Sequence, residues 1–410
     1  MEKRPFDIIV YGATGFTGKL VVDYLLEHYG LKNDLFNWAI AGRSLKKLEK
    51  LKTNLSEEYI EAMDIKIFVA DSFDKESIEK LSKSARVIIS TVGPYIKYGI
   101  NLVSVCAHNG THYCDLTGEV PFIRESIDAY DGIANNNNSK IIHSCGFDSI
   151  PSDLGVLCLQ SEAITKYNSS LNEIKYYVKG VKGGFSGGTI ASMIAISKYI
   201  KSKPKLSGLL GNPYALNSAD YNGPSISSLR SVEWDKDIES WLAPFIMSGI
   251  NTRIVRRSNE LLDFKYGEQF KYSEVTSYPK GLKGYIRSYL MLISLGLTKM
   301  LMSFKLTFWF LSKFYLPQPG EGPSKEMREN GFFKVFLNGY VGKNQLSCTV
   351  TGDRDPGYSG TAIMLTESAL SLILEKDEIT KKFGVLTPAS GIGKVLINRL
   401  NKKGIVFNIS

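Results

Sequence analysis

The stretch Phe6-Asp7-Ile8-Ile9-Val10-Tyr11-Gly12-Ala13-Thr14-Gly15-Phe16-Thr17-Gly18 decides how the chain is read. Residues 6–11 are a short apolar run, β-branched at Ile8, Ile9 and Val10, and read as a buried strand. Lys19 to Leu26 follows with apolar residues at Leu20, Val21, Val22, Leu25 and Leu26, which reads as a helix. Strand, glycine turn and helix in that order give a glycine motif its meaning. Gly12 permits the tight turn, Gly15 lets a pyrophosphate approach the backbone, and Gly18 lets helix and strand pack closely. The helix then turns its free amino-terminal N–H groups toward the phosphates. The spacing is GxxGxxG, an extended form of GxGxxG. Gly12, Ala13, Thr14, Gly15, Phe16, Thr17 and Gly18 are therefore expected to seat a dinucleotide.

Working outward, Asn37 to Ala41 reads as the second strand and ends in Gly42-Arg43-Ser44. A strand end specific for NAD carries an acid for the ribose hydroxyl. Here Arg43 and Ser44 stand in that place, and a guanidinium holds a 2′-phosphate where a carboxylate repels it. The expected cofactor is NADP. Lys46, Lys47, Glu49 and Lys50 also read as a solvated helix face. Ile65 to Asp71 is the third strand; Asp71 either contacts the adenine amine or caps a helix near Ser72. Arg86 to Thr91 is the fourth, ending in Val92-Gly93-Pro94-Tyr95. Gly93 and Pro94 suit a stiff turn beside the nicotinamide ribose. Asn101 to His108 reads as a helix and Thr111 to Leu116 as a strand, with Thr117-Gly118-Glu119 at its end. Asn135 to Asn138 reads as loop and Lys140 to Ser144 as a sixth strand. Alternating strands and helices argue a doubly wound α/β sheet over the first third of the chain.

The whole chain has 410 residues, 43% hydrophobic and 22% charged, which excludes a disordered or collagen-like chain. Fifty Lys and Arg against 41 Asp and Glu give +9, too modest for its length to imply nucleic acid. Five cysteines, an odd number, read as buried reduced thiols. Met1 to Pro5 runs straight into the first strand, so no targeting segment is expected. His108, His112 and Cys114 are the one grouping to weigh for zinc. Asn109-Gly110 stops the helix between the two histidines, and no metal is expected.

Beyond the sheet, Asp148 falls at its carboxyl edge, facing substrate or serving a turn, with Ser149 or Asp153 capping the next helix. Leu171 to Val181 reads as a strand. Gly183 to Thr189 is a glycine loop before a helix at 190–200, and no GKS or GKT follows it. Residues 201–230 read as surface loops, and Thr252 to Arg257 and Phe264 to Tyr266 as strand-like. Residues 275–320 hold no Asp or Glu and six basic residues, Lys280, Lys283, Arg287, Lys299, Lys305 and Lys313. On a helical projection Arg287, Lys299, Lys305 and Lys313 share one arc, opposite a wide apolar face with Leu290, Leu297, Phe304 and Trp309. This is the pattern of a helix lying in a membrane interface, unless Gly296 breaks it. A dimer-contact helix and ordinary core are the alternatives. Ser324 to Arg328 begins a short helix, and strands are expected at 331–337 and 346–351. Asp353 or Asp355 is expected to pair with Arg354, with helices over 361–374 and 391–400.

Together, Tyr11 to Gly18, Ala41-Gly42-Arg43, Thr91 to Tyr95, Tyr113 to Glu119, Gly146 to Asp153, Gly320 to Ser324 and Gly384 to Ala389 resemble the saccharopine dehydrogenase-like oxidoreductases. The matches run the length of the chain. The resemblance implies an amino-terminal NADP-binding Rossmann domain, an α+β domain for substrate and dimerisation, and a carboxyl-terminal return to the first domain. It divides the chain into 1–155, 156–360 and 361–410. Animal relatives look membrane- or lipid-droplet-associated, and bacterial relatives include a trans-acting enoyl reductase of lipid assembly. The expected function is hydride transfer between NADPH and a lipid-like substrate, with Tyr95, Asp115 or Asp148 orienting substrate or relaying a proton. Partners would be that substrate, a lipid-droplet or membrane surface through 280–316, and a second copy in a homodimer. The location would be the cytoplasmic face of membranes or lipid droplets, a mitochondrial fraction being left open. A non-catalytic NADP-binding scaffold and a true saccharopine dehydrogenase are the alternatives, although no arginine falls in a motif for a multi-carboxylate substrate. A short-chain reductase would want a YxxxK pair, and Tyr95-Ile96-Lys97 lacks that spacing.

Overall fold

The computed structural model describes residues 4–184, 206–226, 228–304 and 320–410, with positions 192, 195, 196 and 199 besides. Six strands alternate with helices at the start: β1 (Phe6–Tyr11), α1 (Phe16–Tyr29), β2 (Trp38–Gly42), α2 (Leu45–Ser56), β3 (Lys66–Val69), α3 (Lys75–Ser84) and β4 (Ala85–Ser90). Then come α4 (Tyr95–Tyr98), α5 (Ile100–His108), β5 (His112–Asp115), α6 (Val120–Asn136), β6 (Lys140–Ile142) and α7 (Ile150–Tyr167). β1, β2 and β4 are apolar on both faces because helices cover both, and Ile8, Ile9, Ile40, Val87 and Ile88 are fully buried. A seventh strand, β13 (Gly384–Leu386), comes from the far end of the chain and pairs in parallel with β6. The parallel sheet runs β13-β6-β5-β4-β1-β2-β3, so the order reverses between β1 and β4. Ligands bind at the carboxyl ends of strands at such a switch point.

The second sheet is mixed, in the order β14-β12-β11-β7-β10-β9-β8. Its strands are β7 (Glu173–Lys182), β8 (Glu233–Asp235), β9 (Ser240–Pro244), β10 (Lys271–Pro279), β11 (Phe332–Val341), β12 (Asn344–Gly352) and β14 (Ile405–Ile409). Between them lie α8 (Leu206–Gly211), α9 (Ser248–Leu261), α10 (Leu282–Ser303) and α11 (Lys325–Glu329). The chain closes with α12 (Thr361–Leu374), α13 (Pro388–Gly391) and α14 (Lys394–Asn401). α12 is buried along most of its length and packs on α1. The contact is closed by Glu367, whose Oε1 accepts the hydroxyls of Tyr24 and Tyr29, each at 2.7 Å, while its Oε2 takes Arg399 Nε at 2.6 Å.

Several local readings need correction. Residues 252–257 are not strand-like but the middle of α9. Ile250 and Ile254 lie one turn apart on its buried side, and that helical spacing outweighs the β-branched run. Phe264 lies in a turn with left-handed Asp263 and Phe264. The strand of this region is β10, with β9 beside it and β8 beyond β9 at the sheet edge. The asparagine run is not all loop, since α6 continues through Asn136. Residues 214–217 are buried rather than surface loop. Gly393, at φ 65°, splits the last helical run into α13 and α14. Gly296 does not break α10. Asp355 pairs with no arginine; it is buried and accepts the N–H of Gly357 at 3.0 Å. The glycine loop beyond Gly184, the helix at 190–200 apart from its four placed positions, and the stretch 305–319 lie outside the described residues.

Candidate active site

The turn after β1 is built as a phosphate cradle. Gly12 has φ +90°, and a Cβ there would lie 2.7 Å from Thr91 Oγ1 and from Val92 Cγ2. A Cβ on Gly18 would press into the Gly12 backbone, 2.8 Å from its carbonyl carbon. Glycine at both places is thus a packing requirement. α1 begins at Phe16 with Gly15 as its cap, no cap side chain and no acid in its first turn. The N–H groups of Thr14, Phe16, Thr17 and Gly18 meet no acceptor among the described residues. Four free donors at the start of a 14-residue helix, beside a bare glycine edge, fit a pyrophosphate. The Ala13 side chain is buried in the core below. Phe16 turns away to the carboxyl-terminal segments, packing edge-on against Tyr358 at 5.1 Å and against Gly322.

On the β2 side, Arg43 is exposed at the strand end. Ser44 caps α2, its hydroxyl accepting Lys47 N–H at 3.4 Å. Asp71, at the end of β3, turns inward on its own loop and accepts Phe73 N–H at 3.0 Å. The cap of α3 is Asp74, not Asp71. Arg43 has no hydrogen bond or ion pair among the described residues and stands at the strand end where the sequence places the 2′-phosphate site.

On the β4 side, Thr91 ties the next turn to the cradle: its hydroxyl reaches Gly12 O at 3.1 Å. Gly93 and Pro94 follow, joined by a cis peptide. Tyr95 is buried, its hydroxyl donating to Ser90 O at 2.9 Å, and burial pushes its pKa up. Asp115 is fully buried. It accepts Tyr113 OH at 2.9 Å, Thr117 N at 3.0 Å and Ser144 N at 3.2 Å, and faces His143 Nδ1 at 2.8 Å. Both side chains are spent on holding the turns after β4, β5 and β6. The sequence reading passed over Glu119 as a functional residue. It is 2% exposed, and its carboxylate accepts Tyr95 N at 3.1 Å and Ile96 N at 2.7 Å.

Asp148 is different. It sits between β6 and α7, with Oδ2 3.5 Å from where a Cβ on Gly118 would lie, a position that Ile250 Cγ2 approaches to 3.9 Å. No described residue gives it a hydrogen bond or an ion pair. Burial alone raises its pKa from 3.8 to about 6. Ser149 stands at the cap of α7 but does not cap it; its hydroxyl meets Asn251 Oδ1 at 3.3 Å. Asp153 does not cap either, and instead takes Ala389 N at 2.8 Å and Ser258 Oγ at 2.5 Å. The cradle, Arg43, Gly93, Pro94 and Asp148 therefore share the carboxyl edge of one sheet.

His108 and His112 serve local bonds, to Ser104 O at 2.8 Å and from Lys140 N at 3.1 Å. Among the described residues no three His, Cys, Asp or Glu side chains group as a metal site. A separate cleft of about 710 Å³ opens in the second sheet, lined by Lys175, Tyr177, Trp234, Ser248, Thr252 and Glu274 among others. Ser248 and Thr252 lie on one stripe of α9 and Ile250 on the opposite one, so the body of α9 stands between this cleft and Asp148.

A doubly wound parallel sheet with a glycine turn after its first strand is the architecture of a dinucleotide-binding oxidoreductase. Residues 8–142 match the saccharopine dehydrogenase NADP-binding domain. A Mycobacterium tuberculosis relative is 37% identical over 98% of this chain and 97% of its own. The trans-acting enoyl reductases of Mycobacterium ulcerans and Mycobacterium bovis are each 35% identical, over 99% of this chain and 98% of theirs. The chain belongs to the saccharopine dehydrogenase-like family. Among solved structures, apo saccharopine dehydrogenase (L-Glu forming) from Saccharomyces cerevisiae shares the fold, at a TM-score of 0.55 with 14% identity and 99% of both chains covered.

Proposed function

We propose that this protein is an NADPH-dependent reductase of an unsaturated acyl group on a lipid-like substrate. The observation that carries the reading is the unpartnered Asp148 carboxyl at the sheet edge, in a chain whose full-length relatives bear the name enoyl reductase. When bound, NADPH supplies a hydride. Thr14, Phe16, Thr17 and Gly18 N–H groups would hold its pyrophosphate, and Arg43 its 2′-phosphate. Asp148 keeps a proton to a higher pH than an ordinary carboxyl and delivers it as reduction completes. Gly118 leaves room beside it for substrate.

An amino diacid substrate fits less well, because the inner arginines are already engaged. Arg253 binds the carbonyls of Gly249, Leu210 and Asn212. Arg256 takes Pro213 O at 2.9 Å, and Arg257 pairs with Glu260 at 3.3 Å.

We further infer that the enzyme works on the cytoplasmic face of a membrane or lipid droplet, reached through α10. Gly284 and Ser288 pack inward, while Leu282, Ile286, Leu290, Ile293 and Leu297 stand exposed, Ile293 by 60%. Lys280, Lys283 and Arg287 flank them, and 275–320 holds no acid. Among the described residues no helix is long and apolar enough to cross a membrane. Such a face suits the plane of an anionic interface. A homodimer through the same face is the competing outcome. The test of function is NADPH consumption with a panel of enoyl thioesters. Saturated product in step with NADPH oxidation supports the reading, whereas tight NADPH binding without turnover favours a scaffold.

A further inference from the structure

Three chain segments meet at one buried carboxylate. The first is the turn after β4, where Tyr95 and Ile96 open the short helix α4. Their N–H groups would have no helical partner, and Glu119 accepts both. The second is the turn after β5, which carries Glu119 itself; its own N–H is held by Thr117 Oγ1 at 3.1 Å, and Thr117 N by Asp115. The third is Ser192, which lies after β7 in the chain. Its hydroxyl favours the ionised form of Glu119, and its Oγ is 3.7 Å from where a Cβ on Gly93 would lie.

Gly93 and Pro94 are thus strung between two fixed points. Thr91 anchors one end to the phosphate cradle through Gly12 O. Glu119 anchors the other. A bound dinucleotide would set its adenosine half on the β2 side, beside Arg43, and its nicotinamide half over the β4 side, at this turn.

We propose that Glu119 is the positioning residue of the nicotinamide half, holding the 93–96 turn by two backbone hydrogen bonds, with Ser192 set beside both Glu119 and Gly93. The inference rests on the NADP-binding site described above. Glutamine cannot replace the carboxylate, because one of its two end groups is a donor facing a donor.

The test compares two ligands on the same protein: NADPH, and 2′-phosphoadenosine diphosphoribose, which is the cofactor without nicotinamide. Wild type is expected to bind NADPH more tightly than the fragment. Glu119→Gln is expected to lose about tenfold on NADPH and to keep its fragment affinity. Ser192→Ala, at a partly exposed position that does not threaten folding, is expected to lose about threefold on NADPH alone. Equal losses on both ligands, or no loss on NADPH in either variant, would overturn the proposal. Failure of wild type to bind the fragment would instead overturn the cradle and Arg43 assignment on which it rests. If Glu119→Gln does not fold, the Ser192→Ala pair of titrations decides.

Discussion

Asp148 Oδ2 lies 3.5 Å from the position a Cβ on Gly118 would take, so a carboxyl with no hydrogen-bond or ion-pair partner among the described residues faces a residue that has no side chain. Burial holds its pKa at about 6. As a proton donor it must be protonated, so kcat/KM should fall as pH rises through about 6. Asp148→Asn should lower turnover by about a hundredfold or more and flatten that limb of the profile. The stability sign is opposite to that of a salt-bridged acid. A raised native pKa means the folded chain holds the proton more tightly than the unfolded one. The contribution is complete below pH 3.8 and is lost as pH rises through about 6. Asp148→Asn should therefore melt higher than wild type at pH 8, by about 1–3 kcal/mol of stability, and equally at acid pH. Thermal melts at the two pH values check it.

The first six strands of the parallel sheet are legible because their signals are local, whereas β13, which joins β6 from about 240 residues downstream, is not. Each strand is an apolar run, each turn carries glycine or proline, and Arg43 sits next to the strand end it serves. The second sheet was not, because its pairings are long-range. β10 pairs with β7 across about 100 residues and β7 with β11 across about 150 to 170, and short strands such as β8 have no pattern of their own. α9 misled because its arginines lie inside, bound to carbonyls from residues 210–213 that no local pattern announces. Glu119 looked like a strand-end acid. Its role depends on Tyr95 and Ile96, more than twenty residues earlier, and on Ser192 far downstream.

The glycines of the cradle give a second prediction. Gly18→Ala places a Cβ against backbone that cannot yield, so it should cost about 2–4 kcal/mol and NADPH binding with it. Gly132 lies within α6 with nothing within 4 Å of its Cβ position. Gly132→Ala should be neutral or stabilise by up to about 1 kcal/mol. Denaturant titrations of the two variants separate packing from mere glycine replacement.

Arg43→Ala should weaken NADPH about ten- to hundredfold and leave NADH unchanged. Equal weakening of both dinucleotides would place the 2′-phosphate elsewhere. Calorimetric titration of each cofactor decides.

Glu367 holds the carboxyl-terminal helices against α1 through Tyr24, Tyr29 and Arg399. Its side chain is fully buried. Glu367→Ala leaves Arg399 largely buried with only Glu375 as counter-charge, and should cost about 3–5 kcal/mol. Proteolysis should then cut first in the carboxyl-terminal segment, which mass spectrometry reads directly.

On α10, Leu290→Glu with Ile293→Glu should abolish flotation with phosphatidylserine-rich vesicles. Both sites are exposed, so stability should stay within about 0.5 kcal/mol. Wild-type binding should weaken as salt rises. A wild-type protein that stays in the soluble fraction but elutes as a dimer, and as a monomer when mutated, would assign the face to a second copy.

The most direct test of the central claim follows reduced-nicotinamide absorbance with enoyl thioesters of increasing chain length, with the product identified by mass spectrometry. The account predicts one saturated acyl product per NADPH oxidised, a rate that rises with acyl length, and turnover by Asp148→Asn lower by about a hundredfold or more despite intact NADPH binding. Tight NADPH binding by wild type with no consumption across the panel would contradict it.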